Sequence, residues 1–330
     1  MKVLVTGADG LLGGNLVREL LGRGIEVKVL IQPGNKSPTL DGLDIEKVDC
    51  DLLKDDGVIA GAMGGCDATF HCAAITDQWA DPKLVWSVNL DGTRKVLDAC
   101  VESGMKKLVF VGSASTLQFG LIDAPADETA PFPKVYTGVP YVESKQAASE
   151  LVRKFVRERG LDAVIVCPTF ILGPYDARPS SGELIRQFIV RNLKFTSPGG
   201  KNFVYAPDAA VAMANALEKG KAGESYIMGG GNLTYKDFFT KVANLAGREP
   251  PKIVVPGPII KAGGAVGSLI EKITGKKATI NYTIARLSLC GTYYTPAKAV
   301  GELDMPQTPT DKAIEDAYNS LKQYGHLPEN

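Results

Sequence analysis

Histidine is scarce in this chain, with 2 in 330 residues, and none of the six cysteines, at positions 50, 66, 72, 100, 167 and 290, forms a C-x-x-C pair. Such spacing assembles no metal site, and the cysteines read as reduced, mostly buried thiols. An excess of one charge is missing too, because 37 basic residues balance 37 acidic ones. No global field then draws the chain to nucleic acid or to an anionic membrane, and a small-molecule substrate or a cofactor suits it better. Uninterrupted apolar runs long enough to span a bilayer are also lacking. Residues 256–274 come nearest, but Lys261, Glu271, Lys272 and several glycines break the run. The segment reads as a core or lid helix in preference to a membrane-surface element. The N-terminus, MKVLVTG, shows no apolar targeting stretch with a small-residue cleavage site, so a cytoplasmic location is expected.

What the chain does contain is regular alternation. Its length exceeds the usual single-domain size, which favours one large α/β unit with a smaller lobe. Residues 2–5 form a short β-branched apolar run, the turn TGADGLLGG follows, and residues 15–24 continue with helical spacing. In this G-x-x-G-x-x-G turn Gly7 permits the bend, Gly10 lets the backbone approach a pyrophosphate, and Gly13 lets the helix lie against the strand. The helix N-terminus at Leu11 and Leu12 supplies N–H donors to the anion.

The second apolar run, residues 27–31, ends in IQPGNKS, where an acidic side chain would hold the free ribose hydroxyls of NAD. None is present. Gln32 carries no charge to repel a 2′-phosphate and Lys36 can pair with one, which favours NADP with NAD as the alternative; a solvated loop lysine is the plain reading of Lys36. After a third run at 45–48, Asp51 is placed to meet the adenine amino group with Leu52 over the ring, or equally to cap a helix. Residues 68–71 are a fourth strand; the small Ala73 and Ala74 beyond it let a cofactor lie on the backbone, and His71 reads as a satisfied core residue.

Residues 84–103 carry a helical apolar stripe with Asn89 inside it, a residue that either holds a water near the site or bonds locally to the backbone. A fifth strand at 108–111 ends in GSAST, and a Pro- and Gly-rich loop at 118–138 is long enough to cover a substrate. A helix at 139–159 and a sixth strand at 163–166 complete a doubly wound parallel sheet of Rossmann-like type. Residues 1–174 are therefore expected to form a dinucleotide-binding domain, with contributions from later segments, and 175–330 a smaller C-terminal substrate-binding lobe. In that lobe fall the helix at 208–218, the extended piece at 225–228 and a last helix at 311–324 that packs back.

The stretch PYVESKQAASE opens the 139–159 helix and sets Tyr141 and Lys145 four residues apart, on one helical face. A phenol titrates near pH ~10, and a nearby ammonium favours the phenolate, making it a usable acid or base nearer neutrality. Tyr141 is then a proton donor and Lys145 its tuner.

Together, TGADGLLG, HCAA, the serine cluster in VFVGSAST, the Y-x-x-x-K pair and CPTFILGP resemble an extended short-chain dehydrogenase/reductase, and the likeness spans the chain. Within that superfamily the chain is most similar to the dihydroflavonol reductase-like and 3β-hydroxysteroid dehydrogenase-like group, and to hopanoid-associated sugar epimerases. The resemblance implies an enzyme of NAD(P)-dependent oxidoreductase type, interconverting a ketone or aldehyde with an alcohol on a small or hydrophobic substrate. It implies that Ser113 polarises the substrate oxygen, with Ser115 as the runner-up, that Lys145 also binds the nicotinamide ribose, and that Pro168 borders the nicotinamide. Relatives commonly carry two adjacent serines where this chain has Gly112 and Ser113, and often an arginine in place of Gln32. Gln78, Trp79, Phe119, Tyr136, Thr169, Phe170 and Arg178 fall by position near a substrate. Pairing of the 84–103 and 139–159 helices across a two-fold axis would give a homodimer. The competing readings are a nucleotide-sugar epimerase that retains NAD and a non-catalytic cofactor sensor; the absence of an acid beside Ser113 sets dehydration aside.

Overall fold

The first half of the chain alternates strand and helix: β1 (Lys2–Thr6), α1 (Leu11–Gly22), β2 (Glu26–Ile31), β3 (Glu46–Asp49), α2 (Asp56–Met63), β4 (Ala68–His71), α3 (Pro82–Trp86), α4 (Thr93–Glu102), β5 (Lys107–Val111), α5 (Pro140–Arg159) and β6 (Ala163–Pro168). The second half runs β7 (Phe170–Leu172), α6 (Glu183–Arg191), β8 (Phe195–Thr196), β9 (Gly200–Tyr205), α7 (Ala206–Lys219), β10 (Ser225–Met228), β11 (Gly231–Thr234), α8 (Tyr235–Leu245), β12 (Ile253–Val254), α9 (Gly257–Thr274), α10 (Tyr282–Ser288), β13 (Gly291–Thr292), α11 (Ala297–Leu303) and α12 (Thr310–Gln323). This is a computed structural model, and it describes residues 1–77, 80–275, 278 and 280–328.

The main sheet has seven strands in the order β10-β6-β5-β4-β1-β2-β3, every neighbour parallel. Strands buried on both faces need continuous apolar sequence, and KLVFV in β5 and AVIVCP in β6 supply it. The order reverses between β1 and β4, which opens a crevice at their carboxyl ends, where sheets of this kind hold ligands. The architecture is the expected doubly wound, Rossmann-like α/β sheet.

The seventh strand corrects the sequence reading. Residues 225–228 do not join the smaller lobe but pair with β6 at the edge of the main sheet. The helix expected there at 208–218 is α7, which packs on α1 in the dinucleotide-binding layer and accepts a 2.8 Å bond from Arg23 on Asn215. Neither destination is visible locally, because an apolar four-residue strand looks alike at either sheet.

The smaller lobe is built on a second sheet of β11, β9 and β13, with β7 also paired to β9. Its core stacks Phe203 on Phe238 at 4.4 Å and Phe188 on Phe239 at 4.8 Å, and α12 packs into this same core. Asn202 ties the lobe to the main sheet. Its amide oxygen accepts from Thr169 Oγ1 at 2.8 Å and from the Gly230 N–H at 2.9 Å, while its Nδ2 donates to the carbonyls of Gly230 and Tyr294. The long loop at 118–138 is pinned by bridges of Gly120 to Tyr293 and of Ala126 to Tyr294.

For helix α9, read from the sequence as core or lid, the structure corrects the first of the two. It is not core, since only Gly264 and Gly267 are buried along it. No helix among the described residues is long and apolar enough to cross a membrane.

His71 is the satisfied core histidine that the sequence suggests, bonding Thr6 Oγ1 at 2.7 Å and Thr93 Oγ1 at 3.0 Å. Burial pushes its pKa down to about 3, with Lys145 adding to the effect. A lowered folded-state pKa means that the unfolded chain takes up a proton first as pH falls below about 6.5, so stability is present above that pH and lost toward 3. Urea unfolding between pH 6.5 and 4 should show His71→Gln losing less stability than the native chain, by about 1.4 kcal/mol per pH unit. Equal slopes would show that the imidazole accepts the proton in the folded state.

Candidate active site

The glycine turn lies at the β1 end of the crevice, and its three glycines serve separate ends. Gly7 adopts φ +68°, and a Cβ on it would stand 2.6 Å from the Ala73 nitrogen. A Cβ on Gly13 would fall 2.2 Å from the Gly7 carbonyl oxygen. Both positions are closed by the protein's own backbone. At Gly10, by contrast, a Cβ would meet only the Gly7 oxygen at an ordinary 3.5 Å, so packing within the chain does not demand glycine there. Gly10 caps α1 without any side-chain hydrogen bond, and the first turn, at Leu11 and Leu12, holds no acid. A bare helix N-terminus beside an open glycine fits a pyrophosphate.

Around this turn the structure gathers the other expected cofactor residues. Gln32 is exposed at the end of β2, near enough to Asp51 to help lower its carboxyl. Asp51 is not the cap of α2; it accepts from the Leu53 N–H at 3.0 Å and pairs with Lys54 at 3.2 Å. These bonds, led by the Leu53 amide, hold its carboxyl below the ordinary range. Lys36 is exposed, Leu52 is buried, and Ala73 and Ala74 line the β4 side of the crevice as half-buried residues. The nearby Ser37 hydroxyl is buried and has no hydrogen-bond partner. Arg178 lies here too, which corrects its place among the substrate residues: it pairs with Asp9 of the glycine turn and donates to the Asp9 carbonyl at 3.2 Å. Pro174 joins it by accepting a 2.9 Å bond from Asn15 of α1.

The second cluster forms where β5 ends beside α5. Ser113 is buried, and its hydroxyl accepts the Ser115 N–H at 3.3 Å and lies near enough to Tyr141 to influence its phenol. Gly112, where relatives carry serine, is packed tightly: a Cβ there would sit 3.2 Å from Ile165 and 3.3 Å from Ser149. Lys145 is 2% exposed and donates to the Val111 carbonyl at 2.5 Å. Burial pushes the Lys145 pKa down to about 8, opposed by the thiols of Cys72 and Cys167. Burial also raises Tyr141, with the nearby Ser113 hydroxyl acting against it. The expected lowering of the phenol by Lys145 is not seen: burial raises it, and the group that acts against burial is Ser113. Tyr141 is set to keep its proton.

Asn89 does not bond locally to the backbone of its own helix. It sits in a π-helical turn, Ser87–Gly92, that joins α3 to α4. From there its amide oxygen accepts the Ile75 N–H at 2.8 Å, and its Nδ2 donates to the Ile75 carbonyl at 3.1 Å and to Ser144 Oγ at 3.0 Å. One buried side chain thus fixes the loop after β4 to the helix that carries Tyr141 and Lys145. The wide turn redirects the side chain inward.

Of the expected substrate residues, Phe119 and Tyr136 pack edge to face at 6.4 Å in an apolar cluster that also touches Tyr141 and Leu287. Phe170 stands against Phe203 with the Lys201 ammonium 5.1 Å over its ring. Thr169 is committed to Asn202, Pro168 is buried at the end of β6, and Gln78 and Trp79 lie outside the described residues. Lys201, Tyr235, Arg286 and Cys290 were not anticipated. Lys201, Tyr235 and Cys290 lie close enough to perturb the Tyr136 phenol, although burial is the main cause raising it. Arg286 donates to the Val135 carbonyl at 2.6 Å, and its Nε is buried without a partner. They come from β9, α8, α10 and the turn after it, and no local spacing joins those segments. Among the described residues no cluster of His, Cys, Asp or Glu can hold a metal.

A doubly wound sheet, a glycine turn at its switch point, and Ser113, Tyr141 and Lys145 near one another at the end of β5 are the features of a nicotinamide-dependent enzyme of short-chain dehydrogenase/reductase type. Residues 3–229 match the model of the NAD dependent epimerase/dehydratase family, and the chain belongs to that family. A Synechocystis protein carrying a dihydroflavonol 4-reductase name is 29% identical over 98% of this chain and 95% of its own length. Sterol demethylase protein B of Methylococcus capsulatus is 30% identical over 99% of this chain and 100% of its own. The crystal structure of gox2253 superposes with a TM-score of 0.87 at 31% identity, covering 99% of both chains.

The contrast among the glycines is directly testable. Gly10→Ala should melt within a few degrees of the native chain yet bind dinucleotide at least about tenfold more weakly, whereas Gly13→Ala should be destabilised by about 2 kcal/mol or more through backbone overlap. Undiminished dinucleotide affinity in a well-folded Gly10→Ala would remove the pyrophosphate from this turn.

Proposed function

We propose that the chain is an NAD(P)-dependent oxidoreductase that interconverts a ketone or aldehyde with an alcohol on a hydrophobic substrate, with Ser113, Tyr141 and Lys145 as its catalytic residues. The observation that supports the reading is the nearness of three groups: the Ser113 hydroxyl lies close enough to Tyr141 to act on its phenol, and Lys145, on the same helix, is buried against the Val111 carbonyl. When bound, the nicotinamide supplies or accepts the hydride. The protein's own residues handle the oxygen. Ser113 donates to the substrate oxygen, and Tyr141 passes it a proton as negative charge develops there. The tyrosine is left as a phenolate that the Lys145 ammonium stabilises until solvent returns the proton. One Lys145 N–H is engaged by Val111, which leaves the others free for the nicotinamide ribose. The aromatic wall of Phe119, Tyr136 and Phe170 supports a hydrophobic substrate, as do the flavonol and sterol names of the relatives.

One observation favours a second reading. Lys201 and the incompletely partnered Arg286 put two cations near Tyr136, a setting that would also suit the phosphates of a nucleotide sugar and an epimerase that retains NAD. The loss of an acid after β2 weighs against it.

Tyr141→Phe should lower turnover by ~10²–10⁴-fold and leave cofactor affinity nearly unchanged. Because the ammonium is needed and its pKa lies near 8, kcat/KM for reduction should fall as pH rises through about 8, and Lys145→Arg should move that limb to higher pH in whatever activity remains. A limb that stays put would take Lys145 out of the proton step.

For the cofactor, we infer a preference for NADP from the uncharged Gln32, the exposed Lys36 and the unpartnered Ser37 hydroxyl. An exposed lysine contact contributes only ~1 kcal/mol after screening, about fivefold in affinity. Calorimetric titration should find NADP the tighter ligand, with Lys36→Ala narrowing the gap and Gln32→Asp reversing it. NAD binding equal to or tighter than NADP would overturn the preference and move weight to the epimerase.

A further inference from the structure

Helix α9 is built inside out. Most helices bury their large apolar side chains and show polar ones, whereas this one packs onto α10 through glycines. A Cβ on Gly264 would lie 2.4 Å from the Ala285 Cβ, and one on Gly267 would lie 1.9 Å from the Ile280 carbonyl oxygen. The contact is finished by polar bonds, from the Tyr282 N–H to Ser268 Oγ at 2.9 Å and from the Ala278 N–H to Glu271 Oε1 at 2.8 Å. The helix is thereby held with a fixed rotation. Its large residues turn the other way: Ile259, Val266, Leu269, Ile270 and Ile273 are each between 48% and 74% exposed. Ile259, Val266 and Ile273 recur every seven residues, with Leu269 and Ile270 filling the stripe.

We propose that this face is a membrane-docking surface, on which α9 lies in the interface of a bilayer containing anionic lipid. The chemistry of the stripe selects the occupant. It is purely aliphatic, without the aromatic, methionine and arginine anchors or the hydrogen-bonding groups that protein interfaces concentrate, and it suits acyl chains. Lys261 and Lys272 lie together beyond one edge of it, both exposed and with no ion pair among the described residues, while the helix's one acid, Glu271, is turned inward to the Ala278 amide. A second copy docked on the same face would therefore meet α9 lysines with no free carboxylate on α9 to receive them. Phospholipid headgroups supply the missing charge. The position suits a hydrophobic substrate, since α10, which carries α9, also places Arg286 on the Val135 carbonyl and Leu287 in the cluster around Tyr136 and Tyr141. The inference stands on the surface of α9 and does not depend on the proposed reaction.

Sedimentation of the full chain with vesicles tests it. The native protein should pellet with vesicles of equal phosphatidylcholine and phosphatidylglycerol, pellet far less with phosphatidylcholine alone, and be released by salt. Leu269→Glu combined with Ile273→Glu should reduce binding by about tenfold or more for each substitution. Lys261→Glu with Lys272→Glu should abolish the preference for phosphatidylglycerol. Thermal melting and dinucleotide binding, which involve neither pair, serve as folding controls. Native protein that stays in the supernatant with anionic vesicles, or a glutamate pair that still pellets, overturns the proposal. So does a lipid-free dimer that the Leu269 and Ile273 substitutions dissociate, which would assign the face to a second copy.

Discussion

Lys145 is a cation with 2% of its surface exposed, and a charge so placed must find polar partners or give up its proton. Its surroundings answer that constraint only in part. The Val111 carbonyl takes one N–H, the Phe110 ring lies 4.9 Å beneath it, and the adjoining thiols favour the charged form. The remaining deficit appears as a pKa brought down to about 8, and it gives the site a reason to welcome a ligand that brings hydroxyl acceptors. Everything that fixes α5 against β5 serves to hold this ammonium where the backbone can reach it. Gly112 is part of that fit, since a Cβ there would press on the Ile165 and Ser149 side chains at 3.2 and 3.3 Å.

The neighbouring elements extend the same rigidity. Asn89 ties the loop after β4 to Ser144 on α5, three residues from Tyr141 and adjacent to Lys145. A π-helical turn interrupts good helical hydrogen bonding, and here the bonds made by one buried amide offset that loss. On the other side of the crevice, Gly7 and Gly13 bring α1 into direct contact with β1 and with the start of the loop after β4. The glycine turn and the tyrosine are thus connected through close backbone contacts and one buried amide side chain.

The smaller lobe relates to this frame through few but specific contacts. Asn202 satisfies backbone groups of two segments at once, and Tyr294 reaches the Leu117 carbonyl at 2.9 Å. The wall facing Tyr141 is therefore assembled from the loop at 118–138, β7, β9 and α10. An aromatic surface with two cations at its edge is a product of that assembly and of no single segment.

By itself the sequence determined the features set by short-range rules. The glycine turn, the placement of Tyr141 and Lys145 on one helical face, the apolar strands and the satisfied state of His71 all follow from backbone sterics, helical periodicity and burial of apolar runs. Only the tertiary structure decided the rest. It sent 225–228 to the main sheet and 208–218 onto α1, moved Arg178 to Asp9, gave Asn89 its partners across the crevice, and brought Lys201 and Arg286 beside Tyr136. It also turned the aliphatic side of α9 outward. The physical reason is common to these cases. Each depends on a partner tens to hundreds of residues away, and the same local pattern is satisfied equally well by a different partner until packing and the pairing of buried polar groups choose one.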